Sequence, residues 1–234
     1  MTAKLYGVGV GPGDPELLTL KAARVLQSVP VIAYPKPDNA DSLVRRIAHE
    51  HIPSGQTEIA IVTPMTPGNY PANDVYDHYA AEIAAHLKAG RSVAVLCEGD
   101  PFLFGSFMYI YQRLAEHFPT EVIPGVSSLG AVAAAAGRPL VSRNQVLSLI
   151  PAPLPDDVLK ARIMEADCAA IFKVGRHLPR ISHLLNEMGL MDGAVYVEHA
   201  TMDSERVLPL TEVKAGDVPY FSMILLERMN GNFS

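Results

Sequence analysis

The sequence predicts two α/β domains, the first on a mostly parallel sheet and the second on a mixed sheet. The chain has 234 residues, which at about 150 residues per domain allows one large or two small domains. In the first half, short β-branched runs alternate with helical patterns, which is typical of a parallel sheet covered on both faces. Near the C-terminus, two strand-like runs follow each other without a helix between them, which indicates antiparallel pairing.

The first domain is expected over residues 1–118 and begins with a buried strand over residues 5–10. Asp14 and Pro15 then predict the start of a helix that runs to about residue 27. Aspartate caps free N–H groups, and proline lacks a donor that the first helical position would leave unpaired. The same reasoning predicts strands over residues 29–34, 58–63 and 92–97, and helices over residues 42–50, 71–90 and 105–117.

The second domain is expected over residues 119–234. It continues the alternation and then changes to strands alone. Periodicity predicts helices over residues 127–136, 156–166 and 176–188, and strands over residues 121–123, 146–150, 168–172, 194–198, 207–210 and 220–226.

The composition is that of an ordinary globular protein, with 49% hydrophobic and 19% charged residues and a formal net charge of −6. No Lys/Arg run is present, so neither nucleic acid nor an anionic membrane is an expected partner. The two cysteines, Cys97 and Cys168, lie in apolar runs and are expected to be buried free thiols. No charged-then-apolar leader precedes the first strand, and no apolar run reaches about 18 residues, so a cytoplasmic protein is expected.

A glycine-rich turn at residues 7–14 follows the first strand, where a phosphate loop would lie. The dinucleotide pattern G-x-G-x-x-G fails in both frames, because Pro12 or Asp14 occupies its last position. Pro12 removes a backbone donor, and Asp14 places negative charge where a phosphate would bind. Two interpretations remain: a tight turn with an aspartate cap, or a close backbone approach to a ligand without phosphate.

Two further turns follow predicted strands. Glu98 and Asp100 lie where ligands of open α/β sheets collect, and they suit a positively charged ligand or form a simple Asp-Pro turn. Ser127 or Ser128 can cap the next helix, whose alanines allow close packing. No nearby His and Asp complete a relay for a serine nucleophile, and no Cys or His cluster has the spacing of metal ligands.

Four stretches in order resemble the tetrapyrrole (corrin/porphyrin) methyltransferase family. They are V-G-V-G-P-G-D-P-E-L-L-T-L-K-A-A at 8–23, E-G-D-P-F-L-F-G at 98–105, V-I-P-G-V-S-S at 122–128 and G-R-P-L at 137–140. The resemblance implies two α/β domains facing a cleft that holds cofactor and substrate, without a Rossmann methyltransferase site. It also implies a homodimer that binds S-adenosyl-L-methionine and releases S-adenosyl-L-homocysteine.

The cofactor's sulfonium is a cation, with which carboxylates and backbone carbonyls are compatible, whereas a phosphate nest is not. By resemblance, its pocket would be formed by Pro12, Glu98, Gly99, Asp100, Leu103, Ser127, Ser128, Val174, Ala200 and Met223.

Within the family, residues 98–109 and the Tyr34-Pro35-Lys36 segment are similar to precorrin-2 C(20)-methyltransferases of cobalamin biosynthesis. This similarity implies methyl transfer to the C-20 meso carbon of precorrin-2, giving precorrin-3A. Glu98, with Tyr109 behind it, is the candidate base for the proton that leaves that carbon. The anionic substrate requires local positive charge in a chain of net charge −6. The candidates, each also compatible with ordinary surface charge, are Lys36, Arg138, Arg143 and Arg176.

Other functions stay open at this point. The substrate could carry cobalt, or the enzyme could be another tetrapyrrole C-methyltransferase. A non-catalytic S-adenosylmethionine sensor would use the same turns. A nucleotide-dependent oxidoreductase is disfavoured, because Pro12 and Asp14 spoil the phosphate loop.

Overall fold

The computed structural model describes residues 2–63, 73–214, 216 and 218–227. The chain divides into two units, Met1–Ser127 and Ser128–Ser234. The first unit holds a five-stranded sheet in the order β3-β2-β4-β1-β5, and every pair in it is parallel. Its elements are β1 (Leu5–Gly9), α1 (Leu20–Ser28), β2 (Val31–Pro37), α2 (Leu43–Ile47), β3 (Thr57–Thr63), α3 (Asn73–Lys88), β4 (Val93–Cys97), α4 (Phe107–Leu114) and β5 (Thr120–Ile123).

Helices cover both faces of this sheet, as the alternation of strands and helices predicts. On one face, α3 and α4 pack on a cluster that includes Leu5, Val95 and Phe107. On the other face, α1 and α2 pack on a cluster that includes Val8 and Leu96. Because both faces are covered, all five residues of β4 are buried, which explains its continuous apolar run.

The second unit holds a five-stranded mixed sheet in the order β6-β7-β10-β8-β9. In it, β10 is antiparallel to β7 and β8, and β9 is antiparallel to β8, whereas β6 and β7 are parallel. This confirms the mixed character predicted for the C-terminal half. Its elements are α5 (Ser128–Ala135), β6 (Leu147–Pro151), α6 (Asp156–Glu165), β7 (Cys168–Phe172), α7 (Leu178–Glu187), β8 (Ala194–Glu198), β9 (Arg206–Pro209) and β10 (Ser222–Glu227).

Three differences between the structure and the sequence prediction have clear physical causes. The units divide after Ser127 rather than after residue 118, because β5 pairs with β1 of the first sheet. The first helix does not begin at Pro15, since a short 3-10 turn there ends at Leu17 and Thr19 caps a separate α1. The third difference is that β2 continues through Pro37.

Prolines are accommodated in β2 because of its partners. Only Val31–Ala33 pairs with β4, whereas the pairing with β3 continues to Pro37. Among the described residues, one side of the strand therefore has no neighbour in the sheet beyond Ala33, and a missing N–H group is tolerated there.

Several smaller expectations concern single residues. Cys97 and Cys168 are buried free thiols, as predicted. Pro71, predicted to open the long helix, lies outside the described residues. Among the described residues, no group of His, Cys, Asp or Glu could hold a metal ion. None of the helices described for this chain is both long enough and apolar enough to span a membrane.

Candidate functional site

The carboxyl ends of β1 and β4 form a switch point in the first sheet. These strands are neighbours, but β1 leads to α1 on one face and β4 leads to α4 on the opposite face. Open α/β sheets bind ligands in the crevice that such diverging connections create. The turns after β1, β4 and β5 all lie at this edge, because the three strands are parallel and adjacent.

Backbone hydrogen bonds join the turns after β1 and β4. The Gly99 amide donates to the Gly11 carbonyl oxygen at 2.8 Å, and the Gly11 amide donates to the Gly99 carbonyl oxygen at 3.4 Å. The Val10 amide donates to the Cys97 carbonyl oxygen at 3.0 Å. These amide donors are therefore used within the protein and do not form a nest for phosphate.

Glycine at this edge serves the contact between turns. A Cβ atom on Gly9 would lie 2.6 Å from both the Gly99 carbonyl oxygen and the Gly125 nitrogen. A Cβ atom on Gly125 would overlap the Gly99 carbonyl oxygen. One interpretation of the sequence is that the backbone of this turn closely approaches a ligand. At Gly9, it is the backbone of the neighbouring turns that comes close.

The two aspartates near the glycines, Asp100 and Asp14, have structural partners. Asp100 accepts hydrogen bonds from the Phe102 amide at 2.9 Å and, through its other oxygen, from the Gly125 amide at 3.0 Å. Asp14 accepts from the Glu16 amide at 2.8 Å. Asp100 therefore ties the turn after β4 to the turn after β5, and Asp14 caps the 3-10 turn, one of the two roles that the sequence left open for it.

Glu98 is the titratable group of this edge with the most perturbed pKa. Its half-buried side chain follows directly on β4. Burial raises the pKa of its carboxyl to about 7, and a hydrogen bond from its own backbone amide offsets part of the effect. A carboxyl with this pKa exchanges protons readily near neutral pH, which is the property a general base needs.

The other residues expected at this edge are placed differently. Pro12 is buried, Leu103 is exposed, Ser127 is half-buried and Ser128 is the exposed first residue of α5. The Tyr109 ring packs 4.7 Å, between centroids, from the Tyr76 ring in the core of the first unit.

In the second unit, the structure brings Val174, Ala200 and Met223 to one edge of the sheet. Val174 follows β7, Ala200 follows β8, and Met223 near the start of β10 pairs with Phe172 and Val197. All three side chains are buried. A ligand at this edge would therefore meet chiefly their backbone atoms.

The backbone at this edge is unusual. Lys173, His199 and Thr201 have positive φ values of 58°, 51° and 69°. Such values are costly for residues other than glycine, and for a β-branched threonine they mark a true outlier. Strain of this kind concentrates at functional sites, so it is an independent signal for the residues that flank Val174 and Ala200.

A cavity of about 460 Å³ opens at the same edge of the second unit. Its wall includes Glu198, a buried carboxylate that accepts hydrogen bonds from the Tyr196 hydroxyl at 2.5 Å and from Arg206 at 3.0 Å. The sequence did not single out Glu198 and His199 as site residues. The only feature that could have pointed to them is their position at the end of a buried strand. The lining residues are Gly175, Arg176, Glu198, His199, Gly216, Val218 and Pro219.

The four basic candidates lie at different places. Lys36 is near the carboxyl end of β2, and Arg176 lines the cavity just described. Arg138 donates to the Gly193 carbonyl oxygen at 2.9 Å, which places it at the amino end of β8. Arg143 lies in the turn before β6. The structure therefore does not bring Arg138 or Arg143 together with Arg176, because the amino and carboxyl ends of these strands lie at opposite edges.

The chain is similar to known proteins in sequence and in fold. The family model described as Tetrapyrrole (Corrin/Porphyrin) Methylases matches residues 4–215. The chain is 43% identical over 230 residues to a Mycobacterium bovis protein named Cobalamin biosynthesis protein CobIJ, covering 95% of this chain and 45% of that protein. The chain thus spans about half the length of that relative.

Two relatives match over nearly their whole length. A Sinorhizobium protein named Precorrin-2 C(20)-methyltransferase is 40% identical, covering 95% of this chain and 94% of that protein. A Salmonella typhimurium protein named Cobalt-precorrin-2 C(20)-methyltransferase is 32% identical, covering 97% and 98%.

A solved structure adds evidence on the fold. The uroporphyrin-III C-methyl transferase of Thermus thermophilus, complexed with S-adenyl homocysteine, has a TM-score of 0.71 and 28% identity, covering 96% of this chain and 97% of that chain. Since the family model spans most of the sequence and the fold agrees, the chain belongs to the tetrapyrrole (corrin/porphyrin) methylase family.

Proposed function

We propose that the protein transfers a methyl group from S-adenosyl-L-methionine to C-20 of precorrin-2, giving precorrin-3A in cobalamin biosynthesis. The observation that carries this proposal is the 40% identity, over 95% of the chain, to the Sinorhizobium precorrin-2 C(20)-methyltransferase. The chemistry of the turns at the carboxyl edge of the first sheet supports the choice of methyl donor.

The side chains of this edge fit a sulfonium cation better than a diphosphate. Residues 9–14, 98–105 and 124–128 contain no Lys or Arg. The amides of Gly11, Gly99 and Gly125 donate to acceptors within the protein. Carboxyl groups and backbone carbonyls therefore dominate, and these favour positive charge. In the first unit, the donor would be held by Pro12, Glu98, Gly99, Asp100, Leu103 and Ser127. For Ser128, Val174, Ala200 and Met223, a role in binding it is supported by the family resemblance alone.

S-adenosylmethionine, when bound, supplies a methyl group that its sulfonium already activates, so the protein needs no nucleophile of its own. The hydrogen-bonded turns supply orientation, which is worth up to ~7–11 kcal/mol in well-aligned reactions. Glu98 then accepts, at a carboxylate oxygen, the proton that leaves C-20. Its pKa of about 7 suits this role at neutral pH. Tyr109 is the weaker candidate, because its ring packs on Tyr76.

The acetate and propionate groups of the substrate need cationic partners. We assign this role to Lys36 and Arg176, which lie at the carboxyl ends of β2 and β7. Arg138 is committed to the Gly193 carbonyl oxygen, and Arg143 lies before β6. Their placement supports a structural or surface role for these two.

The direct test incubates the protein with methyl-labelled S-adenosylmethionine and precorrin-2. We expect a product that gains one labelled methyl group in its mass spectrum, with the label at C-20 by NMR. If the labelled methyl group is found at another carbon, the protein has the activity of another type of tetrapyrrole methyltransferase. Binding of the donor without any transfer would favour a non-catalytic S-adenosylmethionine sensor.

A second candidate substrate is cobalt-precorrin-2, which the name of the Salmonella relative suggests. Parallel reactions with metal-free and cobalt-loaded substrate separate the two, since the physiological form should show the higher kcat/KM.

We also propose that the protein is a homodimer, as the family resemblance implies. Light scattering of the purified protein gives its mass directly and tests this assignment.

A further inference from the structure

Three consecutive large apolar side chains are exposed in the turn between β4 and α4. Phe102, Leu103 and Phe104 are 47%, 39% and 48% exposed. We call these three residues the apolar turn. Single exposed apolar residues are common on protein surfaces, but a contiguous group of this size usually marks a binding surface.

Contacts within the protein hold the apolar turn in place. The Asp100 carboxylate accepts from the Phe102 amide, and its carbonyl oxygen accepts from the Leu103 amide at 3.3 Å. Gly105 closes the turn so tightly that a Cβ atom there would lie 2.6 Å from the Pro101 carbonyl oxygen. These constraints present the three side chains to solvent in a fixed arrangement, which lowers the entropy cost of binding a ligand.

Aromatic packing fixes one of the two phenylalanines further. The Phe102 ring lies 5.0 Å from the Tyr111 ring, edge to face, and 6.1 Å from the Phe107 ring. Phe107 is buried in the core of the first unit. Phe102 therefore rests on rings that belong to the fold, and about half of its own surface stays open.

Phe104 has a backbone conformation that glycine would adopt more easily. Its φ is 58°, in the left-handed region that is unfavourable for a bulky residue. The side chain is also about half exposed, so burial does not account for the choice of phenylalanine. A costly backbone conformation that presents an exposed ring at a ligand-binding edge is expected where the ring contacts a ligand.

The neighbouring charges define which part of a ligand can lie here. Residues 98–105 include Glu98 and Asp100 and no basic side chain. Carboxylate groups of a substrate would be repelled by these residues, whereas an uncharged, partly conjugated ring face would not. Phenylalanine rings contact such a face favourably.

We propose that Phe102 and Phe104 form a platform for the face of the tetrapyrrole macrocycle, with Phe104 as its main contact. The inference rests on the proposed function, since it names how this site would recognise its substrate. The macrocycle's carboxylates then lie away from the apolar turn, toward basic residues such as Lys36.

The test is Phe104→Gly, with Leu20→Ala as a matched control. Glycine accepts the positive φ, so the melting temperature of Phe104→Gly should be unchanged or higher. We expect the KM and the Kd for precorrin-2 to rise roughly tenfold, as loss of a large apolar contact predicts, with the KM for S-adenosylmethionine unchanged. Leu20 is 90% exposed at the start of α1, and its replacement should leave all three constants unchanged.

Each other outcome has a definite meaning. If wild-type protein methylates precorrin-2 and Phe104→Gly does so with unchanged constants, the platform is wrong and the proposed function stands. If precorrin-2 binds without being methylated and Phe104→Gly weakens this binding, the platform stands and the proposed function is wrong. If Phe104→Gly changes the oligomeric mass and leaves the substrate constants unchanged, the platform is wrong and the apolar turn is a subunit interface. If the wild-type protein fails to bind precorrin-2, both proposals are wrong.

Discussion

Burial of the Glu98 carboxyl makes the stability of the protein depend on pH. Its pKa rises from 4.5 to about 7 in the folded protein, so the folded chain holds this proton more tightly than the unfolded chain. The contribution of this group to the free energy of unfolding is therefore lost as pH rises from 4.5 to about 7. Above that pH the carboxyl is charged, and the protein bears the whole cost of burying the charge. We expect Glu98→Gln to raise the melting temperature at about pH 8 and to change it little at about pH 4.

The same substitution tests the catalytic assignment. If Glu98 accepts the proton from C-20, wild-type kcat rises with pH through about 7, and Glu98→Gln lowers kcat and removes this dependence. Exposed Glu116 provides a control, since Glu116→Gln should change neither the pH dependence of kcat nor that of the melting temperature. For the stability prediction, an equal gain in melting temperature from Glu98→Gln at about pH 4 and at about pH 8 would show that Glu98 is not the group whose charge is costly.

Gly125 is required by the contact between turns rather than by its own backbone conformation. An added Cβ atom would overlap the Gly99 carbonyl oxygen and approach Gly9, and the crowded atoms are backbone atoms that cannot rotate away. We expect Gly125→Ala to lower the free energy of unfolding by at least ~2 kcal/mol. Gly130 in α5 has open space around it, so Gly130→Ala should stabilise by ~1 kcal/mol. Denaturant unfolding of both variants measures the contrast, and equal effects would contradict it.

The hydrogen bond from β9 to β8 is expected to stabilise the edge of the second sheet. Glu198 is buried, and Arg206 donates to it at 3.0 Å while remaining 63% exposed. Arg206→Met leaves Glu198 with the Tyr196 hydroxyl as its one remaining side-chain partner in the described part of the chain. We expect a loss of about 1–2 kcal/mol, since water replaces part of the lost interaction.

A surface ion pair provides the comparison. Arg162 and Glu165 are paired on α6 with both side chains more than half exposed, so Arg162→Met should cost at most ~0.5 kcal/mol. Urea unfolding gives both values. If the two variants lose the same stability, the burial of Glu198 adds nothing to its interaction with Arg206.

At the scale of elements, local patterns predicted most strands and helices, and the errors have local causes. Asp14-Pro15 is a good helix start, and it does start a 3-10 turn, but Leu18 is extended. Thr19 then caps α1 by accepting a hydrogen bond from the Ala22 amide at 3.1 Å. Two capping residues five positions apart thus mark two elements, and apolar periodicity alone merges them. The extension of β2 through Pro35 depended on which neighbours the strand has, which local sequence does not specify.

At the scale of the whole molecule, the order of strands could not be read from periodicity. Leu5 pairs with Val93 on one side and with Thr120 on the other, and such pairings depend on distant segments. The meeting of Val174, Ala200 and Met223 at one edge follows from the same long-range pairing. Only the family resemblance predicted those residues, whereas the acidic turn at Glu98 could be singled out from its own chemistry.

Ligand-induced stabilisation tests the central claim about the carboxyl edge of the first sheet. At 100 times its dissociation constant, a ligand of the native state adds about 2.7 kcal/mol, which for a chain of this size raises the melting temperature by roughly 5–10 °C. We expect this rise with S-adenosylhomocysteine and none with NAD, because the glycine amides of the turns already donate to Gly11, Gly99 and Asp100. A rise with NAD alone would mean that these hydrogen bonds open to receive a diphosphate, and the proposed methyl donor would then be wrong.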